Sequence, residues 1–428
     1  MHMKKIIKKI ALLLIVFCIG VGVTLLYTNN KYGVYEKEET KQIKKHVDTI
    51  SMMLETEAKS GNYERTTRES WPTEGYVFNT TLSKCENGGE LLWDDEKKVV
   101  LMSGNVSDKC YVYFDVYVPP RFDEICDETT LACHVAKLYT GTQGENGIYY
   151  HDSSLTNGAG DSSYRYSGAN PNNYVCFGSN ESTCPTDNLY RIIGVFGNQV
   201  KLIKYDYATS ALLGTDGDYA STGTPNASYY KGSLTTINTY YWNNSTKKNT
   251  WSESLLNKTN LNTNFINNIG TEWANKIATT TWKVGGNTYA NIRDVIPATA
   301  YQNEIVNPVT TNTTDNATEY SAKIGLMYVS DYGFGADPSA WTTTLYNYDG
   351  SVNGSTIRSL NWMHMGYYEW TISRDADLSY DAFFVYDDGY VNDYRVYINN
   401  AVRPSFNLES SITYASGSGT QSDPIRIN

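Results

Sequence analysis

Residues 381–408 read DAFFVYDDGYVNDYRVYINNAVRPSFNL, and this stretch indicates the kind of structure expected in the C-terminal half of the chain. Aromatic and aliphatic residues alternate with Asp, Asn and Tyr, a period of two that predicts β-strands. The Asp388-Gly389 pair is typical of a hairpin turn between two such strands. Because Pro404 cannot donate to a ladder, we expect the last strand, residues 401–408, at a sheet edge or beside a bulge.

Similar patterns extend upstream of this hairpin. LYRIIGVFGNQVKLIKY (residues 189–205) predicts a second hairpin about Gly197-Asn198. Residues 260–278 space apolar side chains by fours, which predicts a helix with one buried face. KIGLMYVSDYGF predicts a buried strand followed by a turn. This mixture of strands and helices indicates an α+β domain over residues 188–428.

Arg403 lies between an apolar strand and a proline. We expect its guanidinium to pair with backbone carbonyl groups or with a carboxylate, because a buried charge needs a partner. This predicts a structural role for Arg403 rather than a ligand contact.

Residues 63–120 predict a small all-β domain. Four runs have strand composition and end at Gly, Asn, Asp or Lys: EGYVFN, GELLWDD, KKVVLMSG and CYVYFDVYV. WDDEKKVVL, where the second run meets the third, predicts a hairpin. Residues 121–187 are rich in Gly, Asn, Ser and Tyr. We interpret them as linker and loops: a linker over residues 121–139 with one short turn or helix around DETTLACHVAKLY, then ordered loops with short strands.

The N-terminus predicts a membrane anchor. A cluster of four lysines precedes 18 residues without a charge, close to the shortest run that crosses a bilayer as a helix. Lysines on this side favour a cytoplasmic N-terminus. We therefore expect residues 1–30 to be the signal anchor of a single-pass cell-membrane protein with its C-terminal domains extracellular. A cleaved signal peptide is the alternative, although no small-residue cleavage motif follows the run.

Residues 31–62 predict a helical stalk. Apolar side chains recur there at three- and four-residue spacings, at Ile43, Val47, Ile50, Met53 and Leu54. A dimerising coiled coil is the alternative, but one or two heptads are too few to support it.

Six of the seven cysteines follow the apolar N-terminal run. An even number in an exported segment predicts disulfides. Sequence alone leaves their connectivity open, and we expect nearest-neighbour pairing because each pair brackets one turn-rich segment: Cys85 with Cys110, Cys126 with Cys133, and Cys176 with Cys184. Metal binding is the alternative, but the chain has no Cys-x-x-Cys motif.

The composition argues against nucleic-acid binding and against general disorder. The formal net charge is −11, so we expect no nucleic-acid partner, because binding to phosphates needs a basic face. The chain has 37 tyrosines and only 19% charged residues. This aromatic content is too high for general disorder.

Five motifs over residues 188–408 occur in an order that resembles a bacterial domain family of unknown function. They are LYRIIGVFGNQVKLI, TWSESLLNKTNLNTNFINNI, KIGLMYVSDYGF, WTISRDADLSYDAFFVYDDGYV and the closing AVRPSFNLE. The family looks related to the C-type-lectin-like fold shared by formylglycine-generating enzymes and phage tropism proteins. The N-terminal layout resembles anchored surface proteins of gut Firmicutes and Mollicutes. The resemblance implies irregular loops on a small sheet in which the first and last strands pair.

The fold class expected for the whole chain is therefore α+β. A C-type-lectin-like head follows a small all-β domain, a helical stalk and one N-terminal transmembrane helix.

The chain lacks residues that the resembled families use for copper-dependent oxidation and for Ca²⁺ binding. No cysteine follows Cys184, which excludes the cysteine pair that formylglycine-generating enzymes use for copper-dependent oxidation. The Glu-Pro-Asn and Trp-Asn-Asp motifs of Ca²⁺-dependent lectins are also absent. Asp216 and Asp218, like the aspartates of RDADLSYD, have spacings that can hold Ca²⁺, but we interpret both groups as solvated turns. The five histidines show no metal or triad spacing. We expect no cofactor, metal site or catalytic residue.

The C-terminal segment favours a binding surface. Of the 22 residues from Ser379 to Asn400, 13 are Tyr, Asn, Asp or Ser. Tyr supplies contact area at low entropic cost, and the polar residues supply adaptable hydrogen bonds. We predict a ligand-binding face over residues 370–400, made by Trp370, Arg374, Asp375, Asp377, Tyr380, Asp381, Tyr386, Asp388, Tyr390, Asn392, Tyr394, Tyr397 and Asn399.

These patterns predict a membrane-anchored extracellular protein for adhesion or recognition, with a glycan or protein as ligand. Tyr, Asn, Asp and Ser are reachable from an AAC codon by changing adenines. The face is therefore a candidate for retroelement-driven diversification, as in the resembled phage proteins. A genome with no near-repeat of this coding segment beside a reverse transcriptase would exclude that hypothesis. A cell-surface enzyme that acts on glycans or cell wall is the alternative function.

Overall fold

A computed structural model describes residues 49–67, 70–103, 108–308 and 318–428. The chain divides into two compact units, the first ending at Pro119 and the second starting at Pro120. Mixed α+β structure made mostly of small sheets and short helices confirms the expected class.

The expected signal anchor, and the expected stalk as far as residue 48, lie outside the described residues. In the part of the chain that is described, no helix has the length and apolar character needed to span a bilayer.

The first unit is built of strands. Its five-stranded sheet has the order β2-β1-β7-β3, with β4 also on β7, and β5 and β6 form a separate hairpin. All four strand runs expected between residues 63 and 120 are present, and the hairpin at WDDEKKVVL is confirmed. The strands are β1 (Thr49–Glu55), β2 (Tyr63–Arg65), β3 (Tyr76–Phe78), β4 (Lys84–Cys85), β5 (Glu90–Asp94), β6 (Val99–Ser103) and β7 (Lys109–Val116).

The helix expected over residues 31–62 is wrong in its described part, where Thr49–Glu55 form β1. This strand runs parallel to β7 and antiparallel to β2. Met52 is buried in one apolar cluster with Val112, its register partner on β7, while Ile50 is exposed. Pairing with β7 outweighs local helix propensity here. The first unit therefore includes residues of the segment assigned to the stalk.

The second unit combines several small sheets around one apolar core. Its strands are β8 (Ile148–His151), β9 (Ser163–Tyr166), β10 (Tyr174–Cys176), β11 (Leu189–Phe196), β12 (Gln199–Lys204), β13 (Tyr219–Gly223), β14 (Ile237–Tyr241), β15 (Thr280–Lys283), β16 (Gly286–Asn287), β17 (Glu319–Ala322), β18 (Ser351–Val352), β19 (Ser355–Thr356), β20 (Glu369–Asp375), β21 (Asp381–Val385), β22 (Val391–Arg395), β23 (Asn399–Asn400), β24 (Ser405–Asn407), β25 (Tyr414–Ser416) and β26 (Arg426–Ile427).

The largest sheet has the order β24-β12-β11-β9-β8, with β10 also on β11. A second sheet has the order β16-β20-β21-β22 and a third the order β13-β14-β23, while β15-β17, β18-β19 and β25-β26 are two-stranded. The helices are short: α1 (Phe122–Ile125), α2 (Leu131–Ala136), α3 (Ser210–Leu213), α4 (Ile266–Asn268), α5 (Thr271–Ala274), α6 (Tyr289–Ile292), α7 (Pro297–Tyr301) and α8 (Val329–Gly335), with π-helical turns at Leu256–Phe265 and Gln302–Val306.

Residues 121–187 belong to the second unit rather than to a linker between domains, and the short helix and short strands expected there are present. The strands β8, β9 and β10 lie in the largest sheet, and β9 and β10 pair with β11. Tyr150, Tyr164 and Tyr166 are buried in the core that this sheet covers. Tyrosine rings pack well on a half-buried sheet, and the Gly and Asn residues between them form the turns. The second unit thus starts at Pro120 rather than at residue 188.

Both predicted hairpins are confirmed, as β11-β12 and β21-β22. β24 is the end strand of its sheet, as expected from Pro404. The helix expected over residues 260–278 is broken into a π-helical turn, α4 and α5. KIGLMYVSDYGF continues from a buried extended segment into α8 rather than into a turn.

All three predicted disulfides are present: Cys85–Cys110, Cys126–Cys133 and Cys176–Cys184. Arg403 has the expected structural role. Its Nε donates to Glu369 Oε1 at 2.8 Å and its Nη2 to the Met363 carbonyl at 2.5 Å. These contacts join the segment before β24 to the start of β20.

Candidate functional site

The tip of the β21-β22 hairpin is held rigidly by core side chains. Gly389 has φ of 111°, a region that favours glycine. The Tyr332 hydroxyl, on α8, donates to the Gly389 carbonyl at 2.6 Å, and His364 Nε2 lies 2.9 Å from the Asp387 carbonyl. Because Tyr332 and His364 hold the Gly389 and Asp387 carbonyl groups, the residues that flank the turn are preorganised.

Five tyrosines form a continuous row across this tip. Ring centroids are 5.6 Å apart for Tyr346 and Tyr390, 4.1 Å for Tyr390 and Tyr386, 5.2 Å for Tyr386 and Tyr368, and 5.7 Å for Tyr368 and Tyr367. The central pair is stacked and the other three are edge-to-face, geometries that aromatic pairs prefer. We call these five side chains the tyrosine row.

Arg293, at the end of α6, extends the row. Its guanidinium lies 4.6 Å from the ring centroids of both Tyr346 and Tyr289. Its Nη1 also donates to Asn392 Oδ1 and lies 3.6 Å from Asp393 Oδ1. A cation is therefore held between ring faces and two polar groups of β22.

The tyrosine row faces solvent. Tyr346 is 44% exposed, and the other four tyrosines are half-buried. Burial raises the pKa values of Asp387 and Asp388 in the turn, and each residue is half-exposed. The tip thus offers ring faces, tyrosine hydroxyls, one guanidinium and two carboxyl groups along one surface.

Part of the predicted face lies at or beside the tyrosine row. Tyr386 and Tyr390 are members of the tyrosine row, and Asp388 and Asn392 lie beside it. Alternation along β22 places Tyr394 on the same face as Tyr390, four residues or about 13 Å away.

Other predicted residues lie at the opposite end of the hairpin. Tyr380 and Tyr397 flank the Arg395 guanidinium, which is 5.9 and 5.8 Å from their ring centroids. Asp377 is exposed, and the Asn399 side chain donates to Ser221 Oγ. These residues are separate from the tyrosine row.

Trp370 and Arg374 are not on a binding face. Both lie in β20, which is hydrogen-bonded on both sides, to β16 and β21. Trp370 donates from Nε1 to the Tyr240 carbonyl at 2.9 Å, and Arg374 from Nε to the Val284 carbonyl at 2.7 Å. Burial lowers the pKa of Arg374 to about 10.

Asp375 and Asp381, predicted on the binding face, are buried rather than exposed. They bracket a loop whose carbonyl groups at Asp375, Leu378 and Asp381 all accept from Asn249 Nδ2, at 2.6–2.9 Å. Burial and the nearby Asp393 raise the pKa of Asp375 to about 7 and that of Asp381 to about 6. The Asn249 amide thus bonds three carbonyl groups of the loop, and one carboxyl oxygen each of Asp375 and Asp381 is buried with no hydrogen-bond partner among the described residues.

Among the described residues, one group of three His, Cys, Asp or Glu side chains brings its ligand atoms close enough for a metal ion. It consists of Cys85, Asp108 and Cys110, and the two cysteines are joined in a disulfide. Disulfide sulfur is not the thiolate that metals prefer.

Sequence reasoning missed Tyr346, Tyr367, Tyr368, Tyr289 and Arg293. They come from three distant segments that the fold brings to the hairpin tip. The dipeptide at 367–368 was the one visible signal, and it does not stand out among 37 tyrosines.

Comparison with protein-family models, with curated proteins and with solved structures finds no match for this chain.

Proposed function

We propose that this chain is a cell-surface recognition protein that binds a glycan through the tyrosine row. The observation that carries this proposal is the continuity of five partly exposed rings, each within 6 Å of the next, on a fixed hairpin tip. Sugar rings have apolar C–H faces that pack on aromatic rings. Their hydroxyls suit tyrosine, arginine and carboxyl partners.

An extracellular location, with a single N-terminal anchor, is part of the proposal. Three disulfides in the described residues support an oxidising compartment. The C-type-lectin-like relationship and the diversified segment also remain proposals. Tyr386 and Tyr390 belong to that segment, whereas Tyr346, Tyr367 and Tyr368 lie outside it and would be the constant part of the site.

Two buried aspartates, Asp375 and Asp381, give little support to the alternative that the protein is an enzyme. Asp375 and Asp381 have raised pKa values of the kind found in acid–base catalysis. Both side chains are buried, and a catalytic carboxyl group must reach a bound substrate.

The test compares two tyrosines of similar exposure, one inside the tyrosine row and one outside it. Full-length chain in mild detergent is applied to a glycan array, beside Tyr346→Ala and Tyr394→Ala variants. Tyr346 is in the row and is 44% exposed, whereas Tyr394 is outside it and is 49% exposed. We expect the Tyr346 change to weaken glycan binding at least tenfold, about 1.4 kcal/mol, and the Tyr394 change to leave it unaltered.

Three results would overturn the proposal. Absence of glycan binding by the folded chain would move the assignment to a protein ligand. Equal losses in both variants would place recognition along the whole of β22. Release of shortened glycan, detected by mass spectrometry, would favour the enzyme.

A further inference from the structure

A cleft of about 240 Å³ lies in the second unit, away from the tyrosine row. None of the row residues lines it. Its charged lining is Arg165, Lys201, Lys283 and Asp331, and its aromatic lining includes Phe196 and Trp282. In a chain of net charge −11, three cations and one carboxylate line this cleft.

The one carboxylate that lines the cleft lies beside both buried cations. Lys201 Nζ donates to Asp331 Oδ2 at 2.5 Å, and Arg165 Nη1 lies 3.6 Å from Asp331 Oδ1. Asp331 Oδ2 also accepts from the Tyr328 backbone at 3.0 Å, at the start of α8. Asp331 is thus shared among three donors.

The other nearby acids are engaged elsewhere. Asp161 binds the far side of Arg165, with 2.6 Å between its Oδ2 and Arg165 Nη2. Glu304 accepts from the backbone of Val329 and Ser330, at 3.1 and 2.9 Å, and burial raises its pKa. Lys283 pairs with Glu319, which does not line the cleft.

Aromatic rings surround the ammonium of Lys201. Its Nζ lies 4.6 Å from the ring centroid of Tyr328, 5.5 Å from that of Trp282 and 5.6 Å from that of Phe196. An ammonium has three donors, and within the described residues Nζ donates a hydrogen bond to Asp331 alone. Burial lowers the pKa of Lys201, so a second anion beside it would stabilise its charged form.

We propose that this cleft binds a small organic carboxylate with a flat apolar body. The carboxylate takes the free donors of Lys201 and Arg165, and the body packs against Trp282 and Phe196. The volume equals that of about eight waters in the liquid. It suits a ligand on the order of ten non-hydrogen atoms and is small for typical drug-sized ligands. This inference does not depend on glycan binding at the tyrosine row.

The first test measures binding of benzoate to the full-length chain by ligand-observed NMR and titration calorimetry. Benzamide and benzylamine, with the same ring and no negative charge, are the comparison probes. We expect benzoate to bind at least tenfold more tightly than benzamide, and benzylamine not to bind. Equal affinity for benzoate and benzamide would overturn the proposal.

Lys201→Met is expected to reduce benzoate affinity at least tenfold. Lys204→Met is the matched control, because Lys204 is buried on the same strand but three residues on, and it donates to the Asp187 carbonyl at 3.1 Å instead. Unchanged affinity in Lys201→Met, or an equal loss in Lys204→Met, would contradict the proposal.

Asp331→Asn separates binding from folding. The amide oxygen can still accept from the Tyr328 backbone, while the negative charge that competes for Lys201 and Arg165 is gone. We expect benzoate affinity to rise in this variant. If Lys201→Met fails to fold, this result decides, and an affinity that falls or stays constant in Asp331→Asn would overturn the proposal.

Discussion

Two buried ion pairs of the second unit have nearly the same exposure and different surroundings. Arg403 and Glu369 are enclosed. Nε and Nη2 of Arg403 donate to acceptors of the protein, and its buried Nη1 has no acceptor among the described residues. Lys201 and Asp331 are equally buried, but they line a cleft, and Asp331 is shared with Arg165. Burial alone therefore does not distinguish a charge that closes a core from one that is available to a ligand. An adjacent cleft makes that distinction.

The largest effect is expected when the enclosed pair is broken. Arg403→Met leaves Glu369 buried without its cation, which typically costs about 3–5 kcal/mol. Urea unfolding at pH 7, followed by circular dichroism, measures the loss. Arg403→Met combined with Glu369→Leu is the control, because an apolar pair often replaces a buried ion pair at little cost. A double variant no more stable than the single one would contradict this account of the pair.

A smaller loss is expected at the cleft. Lys201→Met removes one partner of Asp331 but leaves the Tyr328 backbone and Arg165 beside it. We expect a loss of about 1–2 kcal/mol in the free energy of unfolding, within the ordinary range for one substitution. The same urea titration measures it. A loss as large as that of Arg403→Met would mean that the two pairs are equivalent and the comparison fails.

The smallest effect, of opposite sign, is expected at a buried carboxyl group without a cation. Asp375 has a folded pKa of about 7, above the unfolded value of about 3.9. The folded state thus holds the proton more tightly, so the stability contributed by this group is complete below about pH 4 and is lost as the pH rises through about 7. Asp375→Asn should raise the melting temperature by about 2 °C at pH 8 and leave it unchanged at pH 4. Scanning calorimetry at both values checks this, and an equal shift at both would contradict the assignment.

Features that depend on neighbouring residues in the chain were predictable from the sequence. The hairpin at Asp388-Gly389 follows from turn chemistry and alternation, and the three disulfides follow from near spacing in the chain. Arg403 was interpretable because a charge flanked by apolar strand residues needs a buried partner.

The features that the sequence did not predict depend on contacts between residues far apart in the chain. Thr49–Glu55 became a strand because β7, more than fifty residues later, offered a parallel partner. Lys201 and Asp331 lie 130 residues apart, and the rings of the tyrosine row come from segments that no sequence window spans. Lys201, within the apolar run VKLIKY, was a signal for the cleft, because a charge inside a buried strand requires a partner.

The pairing of β24 with β12 has a consequence for biosynthesis. Ser405 Oγ donates to the carbonyl of Leu202, 203 positions earlier, and Ile425 bridges to Val175. A ribosome releases the N-terminal part first, so these contacts wait until residues 405–425 have emerged. Until then the β11-β12 hairpin has an open edge that a neighbouring chain could occupy. A premature stop codon that removes residues after 400 would leave that edge uncovered, and the truncated product is a substrate for aggregation and proteolysis rather than a shortened functional protein.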